Sequence, residues 1–242
     1  MISQRDIERW FESSHFRRKC DWVCIDQPKV IKAWANRHLI GQFIIAADIE
    51  PPEWVGEKPL LQVPRQWLSN VSQKPSHPGM MVIIERPTFK LSDLLTCSKA
   101  VILDGVQDPG NLGTIIRSMV AFGVDILCLT NDCVDVFHPK AVNASSGALA
   151  DIKIYNESHW ADWLPTVPHP VYVLDPVGSS LVHNMSKKDA FVLVCGSEGR
   201  GIQSKLVQST RLTPVSIHMT NDMESLNAAI SVSIGLHQLT LP

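Results

Sequence analysis

The chain has 242 residues, of which 45% are hydrophobic and 19% are charged, and its formal net charge is −2. This composition is typical of an ordinary soluble globular protein and excludes disordered, collagen-like and coiled-coil proteins. The sequence contains no run of about 18 apolar residues and no signal-peptide pattern, so we expect a cytoplasmic protein without a membrane span. The length allows one large domain or two modest ones, each able to bury a core.

Cysteine and histidine spacing gives no support for a metal site. The six cysteines are scattered without a CxxC pair, and the nine histidines include no HxxxH or HExxH pair. This pattern argues against a zinc ribbon and against a disulfide framework. Buried, reduced thiols are expected instead.

Cationic residues are concentrated early in the chain. Residues 1–86 hold 12 Lys and Arg against 10 Asp and Glu, whereas residues 87–242 hold 10 against 14. The excess includes the basic run at residues 15–19. Such a run can contact phosphates, or it can be a solvated helix end or loop, and both interpretations stay open at this point.

The first 86 residues alternate between strand and helix patterns. The spacing of Ile7, Trp10 and Phe11 predicts an amphipathic helix over residues 5–16. Apolar runs and prolines then predict, in chain order, a strand at 22–25, a helix at 28–36, strands at 42–46 and 60–63, helical turns at 64–70 and a strand at 80–84. This alternation favours a small α/β sandwich. Five of the seven tryptophans lie here, and core packing explains most of them, with nucleic-acid stacking as the alternative.

Residues 86–99 lose the strand pattern, so we expect a domain boundary there. Beyond it, continuous apolar runs predict buried strands at 100–103, 126–129, 171–174 and 191–194. Helices are predicted at 114–122, ended by Gly123, and around 139–143. Strands without polar alternation are typical of a parallel sheet covered on both faces, whose ligand site lies at the carboxyl ends of the strands.

The loop at residues 103–113 runs from a predicted strand into a helix that carries Arg117. Glycines, a proline and Asn111 predict a tight turn that brings backbone amides and the Asn111 carboxamide to a helix N-terminus. The alternative is that Asn111 is only a helix N-cap and Arg117 only a solvated helix residue.

Two further segments carry glycine and cap patterns. Residues 194–202 follow a strand and contain glycines in the order GxxGxG, which allows a ligand to approach the backbone closely but is not a P-loop. Residues 215–219 lead to Ser225-Leu226-Asn227, which open an apolar helix that extends to His237. Ser225 can cap that helix, and a cap without any other role is the alternative.

Together, three motifs resemble in order and spacing the signatures of the SpoU/TrmH family of RNA ribose 2′-O-methyltransferases in the SPOUT superfamily. The motifs are NxGxxxR after a strand, GxEGxG after a strand, and IxM followed by SLN at a helix start. The resemblance is close over residues 100–242, and the implied methyltransferase domain spans residues 96–242. Residues 1–88 resemble, by pattern, the small L30-like RNA substrate-binding domain found before the catalytic domain in many members.

The resemblance implies a fold and a cofactor. The fold is an α/β parallel-sheet SPOUT domain with a C-terminal trefoil knot, preceded by a small L30-like α/β domain, and the family works as a homodimer with the active site near the interface. The cofactor is S-adenosylmethionine, and the partner is ribosomal or transfer RNA, with no DNA and no membrane expected. Carried over by position, the cofactor-binding residues are Leu174, Gly196, Ser197, Ile217, Met219, Ser225 and Leu226.

The implied reaction transfers a methyl group to a ribose 2′-oxygen. In the family, the motif arginine, here Arg117, is implicated in activating that oxygen. Asn111, Glu198, Ser225 and Asn227 would orient the arginine or the RNA. Because an arginine pKa exceeds about 12, we favour Arg117 as a stabiliser of a phosphate or an alkoxide and assign no residue as the proton acceptor.

The sequence also departs from the family pattern. The family usually has Pro where His218 stands, Gly where Asn221 stands, and a basic residue near Asn143. None of these positions is assigned to the chemistry. One alternative function is a non-catalytic RNA-binding protein of the same fold, and another is a nicotinamide-dependent enzyme, against which the order of the glycines argues. Cofactor binding separates the three functions: the methyltransferase binds S-adenosylmethionine, the nicotinamide-dependent enzyme binds NAD, and the non-catalytic protein binds neither.

Overall fold

The computed structural model describes residues 1–35, 40–87, 98–156, 164–197, 201–202, 212–220 and 224–241. Its contacts divide the chain into two compact units. Unit 1 comprises Met1–Arg86 and Asp135–Ala150, and unit 2 comprises Pro87–Val134 and Asp151–Pro242. The expected boundary between residues 88 and 96 lies outside the described residues. Unit 1 therefore includes a segment that is far from residues 1–86 in the sequence.

The first part of unit 1 has four helices and four strands within its described residues. They are α1 (Gln4–Glu12), α2 (Ser14–Lys19), β1 (Trp22–Ile25), α3 (Pro28–Ala35), β2 (Ile40–Ala46), β3 (Leu60–Val63), α4 (Arg65–Ser72) and β4 (Met80–Glu85). The strands form one sheet in the order β1-β4-β2-β3, in which β4 is antiparallel to both neighbours and β2 is parallel to β3. All four strands predicted in this part are confirmed.

The single helix predicted over residues 5–16 is wrong, because the chain forms two helices there. Ser13 has an extended backbone between α1 and α2, and its hydroxyl accepts a hydrogen bond from the Phe16 amide at 3.2 Å. A serine side chain competes well for backbone amides and therefore favours a new helix start over continuation of the old one. Periodicity alone did not register this cap.

Unit 2 is built on an all-parallel sheet of seven strands. Its elements are β5 (Lys99–Asp104), α5 (Pro109–Ala121), β6 (Ile126–Leu129), β7 (Lys153–Asn156), β8 (Val171–Leu174), β9 (Ser180–Leu181), β10 (Phe191–Gly196), β11 (Leu212–Ser216) and α7 (Ala228–Thr240). Between β6 and β7 the chain forms α6 (Pro139–Ser145), which belongs to unit 1. The strand order is β7-β6-β5-β10-β8-β11-β9. Every pairing is parallel, which confirms the predicted sheet type.

Burial of the central strands explains why their sequences lack polar alternation. All four residues of β6 are buried, and so are five of the six in each of β5 and β10. Since successive side chains point to opposite faces, both faces of these strands are covered. Three strands, β7, β9 and β11, were not predicted. Both ends of β7 are exposed, β9 has only two residues, and only the last two residues of β11 are buried.

The distant segment of unit 1 is held by a buried ion pair. Arg17 Nε lies 2.7 Å from Asp135 Oδ2, and the two side chains are only 3% and 4% exposed. Arg17 Nη1 also donates to the Trp10 carbonyl at 2.8 Å. Arg86 Nη2 donates to the Arg17 carbonyl at 2.6 Å, and its guanidinium lies 4.7 Å from the centre of the Phe137 ring. The start of this segment is thus fixed to α2 by the ion pair and to Arg86 by a cation–π contact.

Two expectations from composition can be compared with these elements. The five cysteines of the described part are buried and form no disulfide with one another, as expected, and Cys97 lies outside that part. Among the helices that the structure describes, none combines the length and the apolar composition that a membrane crossing requires.

Replacement of Asp135 tests the buried ion pair. The Asp135→Asn substitution keeps the size of the side chain but leaves Arg17 charged and buried, so we expect the free energy of unfolding of unit 1 to fall by about 3–5 kcal/mol. The control is Asp48→Asn, which removes an exposed partner of Arg65 (Nε to Oδ2, 2.8 Å) and should change stability little. Denaturant unfolding followed by tryptophan fluorescence measures both, and equal losses in the two variants would contradict the assignment.

A second buried site in unit 1 is sensitive to pH. His77 is buried, and its Nδ1 accepts a hydrogen bond from the Gly79 amide at 3.0 Å. Burial lowers the pKa of His77 from 6.5 to about 4; Asp26 opposes this shift, while Lys74 and Arg65 add to it. His77 Nε2 lies 3.9 Å from Asp26 Oδ2, which is itself 2.6 Å from Lys74 Nζ.

The stability of unit 1 should therefore depend on pH. Because His77 is neutral in the folded state at a pH where the unfolded chain binds a proton, its contribution is fully present above pH 6.5 and is lost as the pH falls toward about 4. The loss reaches about 3 kcal/mol at most. His77→Asn keeps an oxygen that can accept from the Gly79 amide but does not titrate, so its stability should fall less between those two pH values. Parallel profiles for the two proteins, measured by denaturant unfolding, would rule out this role for His77.

Candidate active site

A cavity of about 320 Å³ lies at the carboxyl ends of β8, β10 and β11 in unit 2. The ends of strands in a parallel sheet meet at one edge, and loops from several strands can therefore enclose a ligand there. All seven residues assigned to cofactor binding line this cavity: Leu174, Gly196, Ser197, Ile217, Met219, Ser225 and Leu226. Residues spread over more than fifty positions of the sequence are thus brought around one space.

Gly196 closes one wall of the cavity by backbone contact. A Cβ atom at this position would lie 2.4 Å from the carbonyl carbon and oxygen of Gly201. Ser197 and Gly201 exchange backbone hydrogen bonds of 3.1 and 3.0 Å, so the backbone of Gly201 lies directly against Gly196. Only glycine fits beneath this turn.

The turn after β8 forms another wall. The Asp175 amide donates to the Val215 carbonyl at 3.0 Å, and Asp175 Oδ1 accepts from the Val177 amide at 3.0 Å. A Cβ atom on Gly178 would lie 2.7 to 2.9 Å from backbone atoms of Val215 and Ser216. The turn is therefore packed tightly against β11.

The first and third motifs meet through two asparagines. Asn227 Nδ2 donates to Asn111 Oδ1 at 2.9 Å, across 116 positions of the sequence. Asn227 Oδ1 accepts from the amides of Ala229 and Ile230 at 2.9 and 3.3 Å, so the same side chain caps α7. The N-termini of α5 and α7 consequently lie side by side. The residues on both sides of Asn227, Leu226 and Ala228, line the cavity, so the asparagine pair stands at its edge.

Neither of the two helix caps considered from the sequence is the cap that the structure shows. Asp108, not Asn111, caps α5, because Asp108 Oδ1 accepts from the Asn111 amide at 2.7 Å and Pro109 starts the helix. The helix therefore begins five residues before its predicted start at residue 114, since a proline in a first turn does not interrupt a helix. Ser225 does not cap α7, because Asn227 does, and Ser225 lines the cavity instead. Asn111 and Ser225 both gain roles that a cap would not explain.

Arg117 lies on a different side of α5 from the asparagine pair. At about 100° per residue, Arg117 lies roughly 120° around the axis of α5 from Asn111. Its side chain is exposed, and no hydrogen bond or ion pair holds it within the described part of the chain. Glu198 lies outside the described residues.

Two carboxylates that sequence reasoning missed also line the cavity, namely those of Asp175 and Glu224. The lining residues that the structure describes include no Lys or Arg, so the lining favours a cationic ligand. A signal was present for Asp175, because it is the first polar residue after a buried strand whose carboxyl end was expected to face a ligand. In the described ranges, no group of three or more His, Cys, Asp or Glu side chains is placed to hold a metal ion.

Residues 98–237 match the model of the SpoU rRNA methylase family. The chain belongs to this family. All three motifs lie within the matched residues.

Two curated relatives of the chain are named as RNA methyltransferases. The chain is 28% identical over 173 residues to the 23S rRNA (guanosine(2553)-2′-O)-methyltransferase RlmP of Bacillus subtilis, which covers 71% of this chain and 68% of the relative. It is 31% identical over 195 residues to an uncharacterized tRNA/rRNA methyltransferase of Mycobacterium leprae, which covers 74% of this chain and 61% of that protein. The chain therefore spans about three fifths to two thirds of these curated relatives.

A solved structure shows the same fold over nearly the whole chain. The rRNA methyltransferase of Sinorhizobium meliloti, crystallised with S-adenosylmethionine, has a TM-score of 0.85 at 24% identity and covers 98% of this chain and 93% of its own. At this level of identity the likeness extends to the fold alone.

A glycine substitution tests whether the cavity binds the cofactor that the SpoU motifs imply. Gly196→Ala places a methyl group 2.4 Å from the backbone of Gly201, so the loop must move and we expect the affinity for S-adenosylmethionine to fall at least tenfold, which is about 1.4 kcal/mol. The matched control is Gly41→Ala in β2, where the nearest atom to the added methyl, the Ile83 carbonyl oxygen, lies 3.7 Å away. Isothermal titration calorimetry measures both, and equal affinity of Gly196→Ala and wild type would exclude this cavity as the cofactor site.

Proposed function

We propose that the protein transfers the methyl group of S-adenosylmethionine to the 2′-oxygen of a ribose in ribosomal or transfer RNA. The observation that carries this proposal is a shared location: the seven residues assigned to cofactor binding line one cavity, and at its edge Asn227 binds Asn111. Family membership supports an RNA methyltransferase. The Bacillus subtilis relative, a 23S rRNA 2′-O-methyltransferase, supports the ribose oxygen as the acceptor.

The cavity lining fits S-adenosylmethionine chemically. Leu174, Ile217 and Leu226 provide apolar side chains of the kind that enclose an adenine ring, and the backbone at Gly196 provides hydrogen-bonding groups. The carboxylates of Asp175 and Glu224 favour a positively charged ligand. When bound, the cofactor supplies a methyl group activated by its positive sulfonium.

The surrounding residues orient the acceptor and stabilise its developing charge. The bond between Asn111 and Asn227 fixes the N-termini of α5 and α7 side by side, and both helix ends carry partial positive charge. Such fixed dipoles stabilise negative charge that develops on an oxygen during reaction. Holding that oxygen in line with the methyl group supplies much of the remaining catalysis.

Arg117 and Glu198 complete the proposed catalytic set with Asn111, Ser225 and Asn227. Arg117 binds an RNA phosphate or the developing alkoxide, for which its exposed and permanently charged guanidinium is suited. Glu198 and Ser225 orient the arginine or the RNA. Arg117 does not act as the base, because a guanidinium has no proton-accepting atom in its charged form and stays charged in proteins.

The proposed architecture places an L30-like RNA substrate-binding domain at residues 1–88 and a SPOUT methyltransferase domain with a trefoil knot at residues 96–242. The strand order supports the knot, because β11 lies between β8 and β9 although it follows both in the chain. After β11, α7 returns to the segment before β10: the Lys188 amide donates to the Leu239 carbonyl, and Gln238 Nε2 donates to the Met185 carbonyl, both at 2.8 Å.

The proposed assembly is a homodimer. Ile230 and Ile234 of α7 are 51% and 37% exposed, and their four-residue spacing puts them on one face of the helix. Burial of this apolar face against a second copy would remove it from water. Ribosomal and transfer RNA substrates imply a cytoplasmic location.

Substitution of Arg117 tests the reaction. The protein is incubated with labelled S-adenosylmethionine and total RNA from a strain that lacks its gene, and mass spectrometry of the digested RNA identifies the methylated nucleoside. We expect a new 2′-O-methylnucleoside whose rate of formation falls at least about 100-fold in Arg117→Ala, with unchanged cofactor affinity. Arg117→Lys should be intermediate, because it keeps the charge but not the planar pair of donors.

Two results would contradict the proposed function. Cofactor binding without methyl transfer to any RNA would remove the catalytic assignment. Absence of cofactor binding would favour the non-catalytic RNA-binding protein of the same fold.

A further inference from the structure

We propose that exposed cations of α2 and of the start of α6 form one phosphate-binding surface for the substrate RNA. This cationic surface consists of Arg18, Lys19 and Lys140, all of them exposed and all in unit 1. The inference rests on the proposed function, because it assigns where the RNA backbone is held. It also assigns part of RNA binding to residue 140, which belongs to the family-matched region and not to the first 86 residues.

The structure divides the basic run at residues 15–19 into two roles. Arg17 is buried, and its guanidinium is neutralised by Asp135 at 2.7 Å, so it is not available to RNA. Arg18 and Lys19, the next two residues, are exposed at the end of α2. The two interpretations of the run, structural and phosphate-binding, therefore apply to different residues within it.

The buried pair also brings Lys140 to this region. Asp135 Oδ1 accepts from the Phe137 amide at 3.1 Å, and the Asp135 carbonyl accepts from the His138 amide at 2.9 Å. His138 Nδ1 then accepts from the Lys140 amide at 3.1 Å and caps α6. The amides of Phe137, His138 and Lys140 are thus each held by a hydrogen bond to Asp135 or His138.

The titration of neighbouring groups agrees with positive charge being concentrated here. The pKa of His138 is lowered by burial and also by the cations Arg17 and Lys140, against the opposing effect of Asp135. The pKa of Arg86 is lowered by burial, and Arg17 and Arg18 contribute to that decrease. Cations from both sequence segments therefore act on groups around the same buried pair.

Acidic and cationic residues are distributed unevenly along residues 1–86. Residues 47–57 hold four acids and no cation, whereas residues 15–19 hold three cations and no acid. Asp26 and Asp48 are paired with Lys74 and Arg65. Glu12 and Asp21 flank the run in sequence and are the acids nearest to it along the chain.

RNA phosphate is the ligand that this arrangement favours. The whole chain has a net charge of −2, so long-range attraction does not draw a polyanion to it, and a local cluster must make the contact. Successive phosphates of an RNA backbone can each contact one cation from a separate helix. Each phosphate that is neutralised in this way releases bound counterions. An acidic protein surface would be a different partner for these cations. In that case, neutralising them would not change the salt dependence of RNA binding.

Neutralisation of the surface provides the test. The triple variant Arg18→Gln/Lys19→Gln/Lys140→Gln is compared with a control that removes the same charge at three other exposed positions, Lys29→Gln/Lys153→Gln/Lys187→Gln. Purified ribosomal RNA and total transfer RNA serve as separate probes. We expect the surface variant to bind the preferred RNA about tenfold or more weakly, with its log-log salt slope smaller by about 2, and the control to stay within about twofold of wild type.

A charge-preserving variant and a cofactor titration separate the possible failures. Arg18→Lys/Lys19→Arg/Lys140→Arg should retain the affinity and the salt slope of wild type, and S-adenosylmethionine affinity should be equal in all four proteins. An unchanged slope in the neutralised variant, an equal loss in the control, or no RNA binding by wild type would overturn the cationic surface. Wild-type protein that binds RNA with the expected slope but transfers no methyl group would instead overturn the proposed function alone.

Discussion

The common direction of the seven strands in unit 2 is the constraint on which the candidate site depends. Because every pairing is parallel, the loops after β8, β10 and β11 leave the sheet at the same edge. Tight backbone contacts at Gly178 and Gly196 then hold two of these loops against their neighbours. The cavity is a consequence of this geometry, and Asn227 adds the link that brings α5 to its edge.

A second constraint is the burial of Arg17 with Asp135. Removing two charges from water is unfavourable, and their close contact with additional hydrogen bonds offsets that cost only while both partners are present. The pair joins residues 118 positions apart and makes the segment at 135–150 part of unit 1. A truncated protein that lacks residues 1–86 would retain Asp135 and Phe137 but lose their partners Arg17 and Arg86. Point substitutions therefore separate RNA binding from cofactor binding more cleanly than a truncation does.

Sequence patterns predicted the strands well where burial is complete. Continuous apolar runs marked β5, β6, β8 and β10, because strands covered on both faces need apolar side chains at successive positions. Helix starts were predicted less well, since several side chains compete for the same unpaired amides. Ser13 started a new helix and Asp108 displaced Asn111 as a cap, and both outcomes depend on local backbone geometry. The short strands β7 and β9 are defined by their hydrogen bonds with the neighbouring strands β6 and β11, which a local sequence pattern does not show.

The sequence by itself determined the residue types, the order of the motifs and the family to which they point. It also indicated that a ligand would lie at the carboxyl ends of a parallel sheet. Only the tertiary structure decided which polar groups meet: Asn111 with Asn227, and Arg17 with Asp135, each across more than a hundred residues. The physical reason is that a side chain specifies what it can donate or accept, whereas the partner is set by packing of elements distant in the chain. The same packing separated one basic run into a buried arginine and two exposed cations.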